Sequence, residues 1–303
     1  MLDRLVIAGG PTVNLEGAPA QGTRHTVAFG VLGETGEPVA VKLAHLPGAL
    51  ERERAALAGL GAREGPVPRL LASGSVLCGS TRVDCLVIER RPGAPPTSVD
   101  GWRRMGRAHA RVTNRREQPP ADLPTLDRVA FGAAHARRID DLGERLAPLA
   151  AAVADWARLC SARVPGSPPL VITHGDPGPG NFLDDGGEGS IVDWEDALLA
   201  PRGIDLARLA VIAMLGAGPR GYPARDHGER ARAVTAGYLE ELSDRWLPSD
   251  GEWRWWLAVA GVQFIHRRWL LGGRPAPWQD AADVLCAMLS RDPRTACPWP
   301  SRS

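Results

Sequence analysis

The sequence predicts an α+β chain whose first third is strand-rich and whose remainder is mainly helical. Strand-like runs at 26–31 and 39–42 flank the turn Gly33-Glu34-Thr35-Gly36-Glu37-Pro38. Apolar residues recur with helical spacing over 99–115, 138–162 and 204–215. A short apolar, β-branched run, Leu170-Val171-Ile172-Thr173, sits within that helical part and empties into a Pro/Gly loop. A chain of 303 residues, 44% hydrophobic, is long enough to bury substantial cores.

In order along the chain, Thr26-Val27-Ala28-Phe29-Gly30-Val31, the turn, and Val39-Ala40-Val41-Lys42 read as strand, turn and a second strand ending in a lysine. The run LERERAALAGL at 50–60 is a helix in pattern. Glu53 shares a face with Leu57 and Leu60, so it, rather than Glu51, is the carboxylate expected to point inward. Gly93-Ala94-Pro95-Pro96 breaks regular structure and divides the chain into 1–92 and 93–303. Past the break, 115–124 is a polar, Pro-containing loop between helices, and 291–303, with three prolines, is a tail with little to hold it.

The densest chemistry lies at His174-Gly175-Asp176, followed by Asn181 and then Asp193-Trp194-Glu195. Pro177-Gly178-Pro179-Gly180 cannot continue a strand or helix, which forces a loop. Phe182-Leu183, a polar Gly-rich turn and Ser190-Ile191-Val192-Asp193 read as a hairpin whose ends carry Asn181 and Asp193. Phosphoryl transfer to a hydroxyl needs a carboxylate to take the proton and further oxygen donors to hold Mg²⁺. Asp176 fits the first task, and Asn181 with Asp193 the second. The Asp176-to-Asn181 spacing equals that in the kinase loop pattern H-R-D-x-x-x-x-N, with Gly175 in place of the arginine. Any one of these residues alone would be a turn former; their combination points to a site. His174 is expected to hold the loop's shape through backbone hydrogen bonds, with Glu195 and Asp205 as supporting or surface groups.

The succession of VAVK, the LERERAALAGL helix, LVIERRPGAPP, THGDPGPGN, IVDWED and DLARLA resembles the aminoglycoside phosphotransferase family, a branch of the protein-kinase-like fold. The resemblance spans roughly 15–210. It implies a bilobal fold: a small β-rich N-terminal lobe with one helix, a hinge, and a larger helical lobe, with ATP (or GTP) and Mg²⁺ between them. By motif position Asp176 resembles the family's catalytic base, Asn181 and Asp193 its magnesium ligands, Lys42 its phosphate-binding lysine and Glu53 that lysine's partner. Ile88-Glu89-Arg90-Arg91 resembles the hinge, which places Glu89 and Arg91 at the nucleotide. Family members commonly read H-G-D-x-H-P-G-N, and Gly178 stands here where the second histidine would be. The glycine-rich loop is also reduced, to Gly17 and Gly22 followed by Thr23 and His25. The resemblance further implies a small hydroxylated acceptor, in particular an antibiotic; the alternatives are a metabolic kinase of an amino alcohol or sugar, and a nucleotide-binding protein without turnover.

Composition excludes other classes. A net charge of +1, from 36 basic and 35 acidic residues, gives no field for nucleic acid or an anionic membrane. No apolar run is long enough to cross a bilayer, and the N-terminus lacks the pattern of a secretory signal. Cys78, Cys85, Cys160, Cys286 and Cys297 form no C-x-x-C pair, as expected of free thiols in a reducing cytoplasm. Arg103-Arg104, Arg137-Arg138 and Arg267-Arg268 read as solvated helix faces. The acceptor-site candidates are Glu240, Glu241 and Asp244, which suit a polyamine, and Trp253, Trp255, Trp256 and Trp269, which suit a flat molecule. Against them stand a solvated helix face for the acids and core positions for most of the tryptophans.

Overall fold

The computed structural model describes residues 4–22, 24–61, 65–114, 122–143, 147, 151, 170–215, 227–242 and 250–272. Thr23, Asp244, Cys160, Cys286, Cys297, the side chain of Trp269, most of the expected 115–124 loop, most of the expected 138–162 helix and the 291–303 tail lie outside them.

Six antiparallel strands form one sheet in the order β1-β2-β3-β4-β6-β5: β1 Arg4–Val6, β2 Thr12–Gln21, β3 His25–Leu32, β4 Pro38–Ala44, β5 Leu70–Cys78 and β6 Thr81–Glu89. Alternation along β4 sets up the site. Val39 and Val41 are fully buried with Val13, Cys85 and Val87, so Ala40 and Lys42 are turned to the opposite side. That side faces α1 (Glu51–Leu60), whose buried face is Glu53, Ala55, Ala56, Leu57 and Leu60, as its apolar spacing predicts.

The rest of the chain is chiefly helical: α2 Val99–Thr113, α3 Arg128–Leu142, α4 Ile204–Leu215, α5 His227–Glu240 and α6 Asp250–Gly272. Helix α2 starts where Ser98 Oγ accepts the Gly101 N–H. It crosses α5 backbone to backbone. A Cβ on Gly106 would stand 2.0 Å from the Val234 carbonyl oxygen, and one on Gly237 equally close to that of Arg103, so only glycine permits the approach. Trp253, Trp255 and Trp256 of α6 are core residues, 0%, 3% and 3% exposed, which removes them as acceptor contacts.

Two elements depart from the sequence reading. Helix α3 begins ten residues before the expected 138, because the Asp127 side chain accepts the Val129 and Ala130 N–H groups and caps it there; it ends at Gly143, whose φ of 73° no helix can continue. The strand β7 Leu170–Thr173 is as expected, but its partner, β10 Leu198–Pro201, was read as no strand at all. Between them, β8 Phe182–Leu183 and β9 Ser190–Ile191 form the expected hairpin.

Candidate active site

Lys42 is the electrostatic centre of the cleft. Only 7% exposed, it donates from Nζ to both Glu53 oxygens at 2.7 and 2.8 Å and to Asp193 Oδ1 at 2.5 Å. Burial works against its charge, but Glu53 and Asp193 outweigh burial and hold the ammonium pKa above its ordinary value. Glu53 Oε1 also accepts the Trp194 N–H at 3.2 Å, which fixes the segment that carries Asp193. Asp193 is the one non-glycine residue at positive φ among those described, at 67°. Such a backbone costs about 1–3 kcal/mol and persists where surrounding contacts impose it. Burial pushes the Asp193 carboxyl upward; Lys42, helped by His25 and His174, brings it below the usual carboxylate range.

The loop after β7 is held by its own side chains. Asp205, 2% exposed in the first turn of α4, accepts the His174 N–H at 2.6 Å and the Gly175 N–H at 3.4 Å. His174 Nε2 lies 2.8 Å from the Val192 carbonyl and must donate to it; Nδ1 then accepts the Asp176 N–H at 3.3 Å. These contacts give His174 the shape-holding role expected of it and make Asp205 a buried anchor. Gly175 has φ 84°, and a Cβ there would fall 2.0 Å from the Asp196 carbonyl oxygen, so neither the kinase arginine nor any other side chain fits. The Asp176 carbonyl accepts from Gly178 N–H at 2.8 Å and from Asn181 Nδ2 at 2.9 Å. With its nitrogen so committed, Asn181 keeps its amide oxygen as a donor atom for a cation.

A contact that the sequence reading missed comes from the β2–β3 turn. Arg24 reaches Glu195 at 3.2 Å and Asp196 at 2.9 Å, while His25 Nδ1 lies 3.2 Å from Glu195 Oε2 and its Nε2 lies 4.0 Å from Asp193 Oδ1. Burial and the Asp193 carboxylate raise the Glu195 pKa against the pull of Arg24 and His25. The only local signal was a histidine two residues past Thr23, in the place of a glycine-rich loop.

Lys42, Glu53, Glu89, Arg91, Asn181 and Asp193 all line one cavity of about 290 Å³, with Val27, Ala40, Ile88 and Leu183 as apolar walls. At its hinge edge the Glu89 carboxylate is taken by Arg69 and Arg91. The Glu89 and Arg90 N–H groups donate to Arg69 and Pro38 carbonyls, whereas the Arg91 N–H has no acceptor among the described residues. Asp176 lines an adjoining cavity, of about 350 Å³, and the loop of residues 175–181 walls both. Carboxylate and amide oxygens at Asp193 and Asn181 match the preference of a hard divalent cation.

The family model of the phosphotransferase enzyme family, APH, matches residues 20–267. The chain belongs to this family. Comparison with curated protein sequences gave no match. Among solved structures, aminoglycoside phosphotransferase APH(4)-Ia superposes with a TM-score of 0.63 at 14% identity, over 90% of this chain and 93% of that one. Amicoumacin kinase hAmiN, in complex with AMP-PNP and Ca²⁺, gives 0.57 at 14% identity over 93% and 90%. A choline kinase from Cryptosporidium parvum Iowa II gives 0.56 at 10% over 93% and 89%. The fold is thus the bilobal kinase-like one, and the protein is a phosphotransferase.

In this phosphotransferase the expected acceptor acids are otherwise engaged. Glu240 pairs with Arg103 and Arg107, and Glu241 with Arg111, all across the α2–α5 contact. Of the arginine pairs read as solvated faces, Arg103, Arg137 and Arg267 are exposed, the side chain of Arg268 lies outside the described residues, and Arg104 and Arg138 depart from that reading. Arg104 is part-buried and bidentate to Asp184 at 2.7 and 2.8 Å. Arg138 and Arg267 line the Asp176 cavity, and Arg267 Nη1 sits 3.1 Å from Asp176 Oδ1. Among the described residues no helix is long and apolar enough to cross a membrane, and Cys78 and Cys85 are free thiols.

Proposed function

We propose that this phosphotransferase is a magnesium-dependent ATP:small-molecule O-kinase of the cytoplasm, with an antibiotic as its acceptor. The observation that carries the reading is Lys42, tied to Glu53 and Asp193 on the wall of a cavity that also holds Asn181. Residues 1–92 form the nucleotide lobe and hinge, and 93–303 the catalytic and acceptor lobe. Lys42 turns its ammonium toward the nucleotide phosphates and Glu53 orients it. At the hinge, Glu89 and Arg91 border the base, and the Arg91 N–H is the donor it offers. Asp193 and Asn181 would hold the magnesium ion, which screens the phosphate charge when bound.

Asp176 accepts the proton of the acceptor hydroxyl. The acceptor oxygen bonds to the γ-phosphorus as the bond from that phosphorus to the bridging oxygen breaks, and the electron pair leaves with ADP. Arg267 occupies Oδ1 of Asp176, so the proton goes to the other carboxylate oxygen, or to Oδ1 once Arg267 withdraws. The antibiotic reading draws on solved neighbours, an amicoumacin kinase and an APH(4)-Ia variant bound to ADP and hygromycin B. The choline kinase neighbour supports a metabolic acceptor as the second reading.

Two substitutions test the roles. Asp176→Asn is expected to lower kcat by about 10²–10⁴ with nucleotide affinity nearly unchanged. Asp193→Ala is expected to weaken magnesium-dependent nucleotide binding itself. Equal, mild effects of both would contradict the assignment.

A further inference from the structure

We infer that the acceptor carries a carboxylate, which seats against Arg138 and Arg208 while the hydroxyl faces Asp176. The inference rests on the phosphotransferase reading of Asp176 and names the class of molecule that the adjoining cavity takes.

Three helices converge cations on that cavity: Arg138 from α3, Arg208 from α4, and Arg267 from α6. Asp176 is the single carboxylate among the described lining residues. Beyond the lining, Asp141 pairs with His266 at 3.1 Å, and Asp205, 3.8 Å from Arg208 Nη1, together with Asp196 favours the Arg208 charge without offsetting Arg138. Arg138 is half-buried and has no carboxylate within ion-pair distance among the described residues; its Nη1 donates to His135 Nε2 at 3.3 Å. Burial, Arg208 and Arg137 together pull its guanidinium pKa down, the situation of a cation lacking its counter-charge.

Arg208 is held ready. Its Nε donates to Gln263 Oε1 at 3.0 Å and its Nη1 to the Gly175 carbonyl at 2.5 Å, while the nearest Asp205 oxygen is 3.8 Å away. A guanidinium fixed in this way presents a planar fork suited to carboxylate or phosphate. Phe264 and Ile212 stand among the cations and suit an apolar body on the same molecule. A polyamine would meet three guanidinium groups on the lining itself, with Asp176 as the lining carboxylate. An anion would also compete for Arg267, drawing it from Asp176 Oδ1. Seating the anionic group thereby exposes the base, so recognition and proton acceptance are joined.

The test is a matched panel of hydroxy acids, their methyl esters and the corresponding amino alcohols, with aliphatic and aromatic bodies, assayed for ADP release by the full-length protein. The hydroxy acid is expected to exceed its ester and amine at least tenfold in kcat/KM, mainly through KM. Arg138→Gln should cut that preference at least tenfold, Arg267→Gln should reduce it as well, and Arg138→Lys should restore part of it. Deoxy carboxylates, which cannot accept phosphate, are titrated separately with AMP-PNP present and are expected to bind where their esters do not. Preference for amines, or a charge preference that survives both Gln variants, overturns the inference and leaves the phosphotransferase reading standing. Deoxy carboxylates that bind with no turnover of any hydroxylated partner support the anion site and count against that reading. Carboxylates that neither bind nor turn over overturn the inference.

Discussion

Replacing Lys42 with methionine should separate the structural from the chemical work of the cleft. The substitution removes Nζ from Glu53, which is 1% exposed and would keep only the Trp194 N–H, at 3.2 Å, as a donor. Deleting one member of a buried ion pair costs about 3–5 kcal/mol, because the other charge is left without compensation. Glu53→Gln removes the orphaned charge in turn, so the double variant should be less destabilised than the sum of the singles by about 1–3 kcal/mol. Urea midpoints at matched m-values read this directly. Phosphotransfer should fall in Lys42→Met and stay low in the double variant, since no ammonium returns to the phosphates. An unchanged midpoint for Lys42→Met, strictly additive singles, or recovered turnover in the double would refute the reasoning.

Two further expectations concern the frame of the site. Burial lowers the His135 pKa to about 4, with Arg138 and Arg208 adding and the Phe131 carbonyl contact opposing. The folded state therefore holds this imidazole neutral, and its contribution is intact above pH ~6.5 and is lost as pH falls toward 4, about 3 kcal/mol in all. Unfolding midpoints from pH 7.5 to 4.5 should fall more steeply for the wild type than for His135→Gln; parallel curves would exclude the effect. Gly175→Ala should destabilise by at least about 1–3 kcal/mol and abolish turnover, since φ 84° and the Asp196 carbonyl both reject a Cβ. A normally folded, active variant would show that the loop relaxes freely.

The residues that carry local chemistry were legible because the chain itself sets their geometry. Alternation aims Lys42, helical spacing aims Glu53, and a two-strand hairpin brings Asn181 beside Asp193, as the Val192 N–H to Asn181 carbonyl bond of 2.9 Å records. Helix α4 was likewise read to its ends. The early start of helix α3 was missed because residues 128–137, with alanines and arginines, show little apolar periodicity, although the Asp127 cap was there to be read. Strand β10 is four residues ending in proline, too short to signal against its neighbours. The cationic wall was out of reach. Arg138, Arg208 and Arg267 lie on three helices far apart in sequence, and only tertiary packing turns separate surface-type residues into one lining.

The grip of Arg24 and His25 on Glu195 and Asp196 has a consequence for the cleft. These contacts span from the sheet to the segment after Asp193, so any opening of the cleft between those two elements must stretch them. Arg24 is 53% exposed, and ionic strength weakens its pairs, whereas the enclosed Lys42 triad is sheltered from added salt. Salt therefore acts on the rim of the clasp before it reaches the pivot at Lys42.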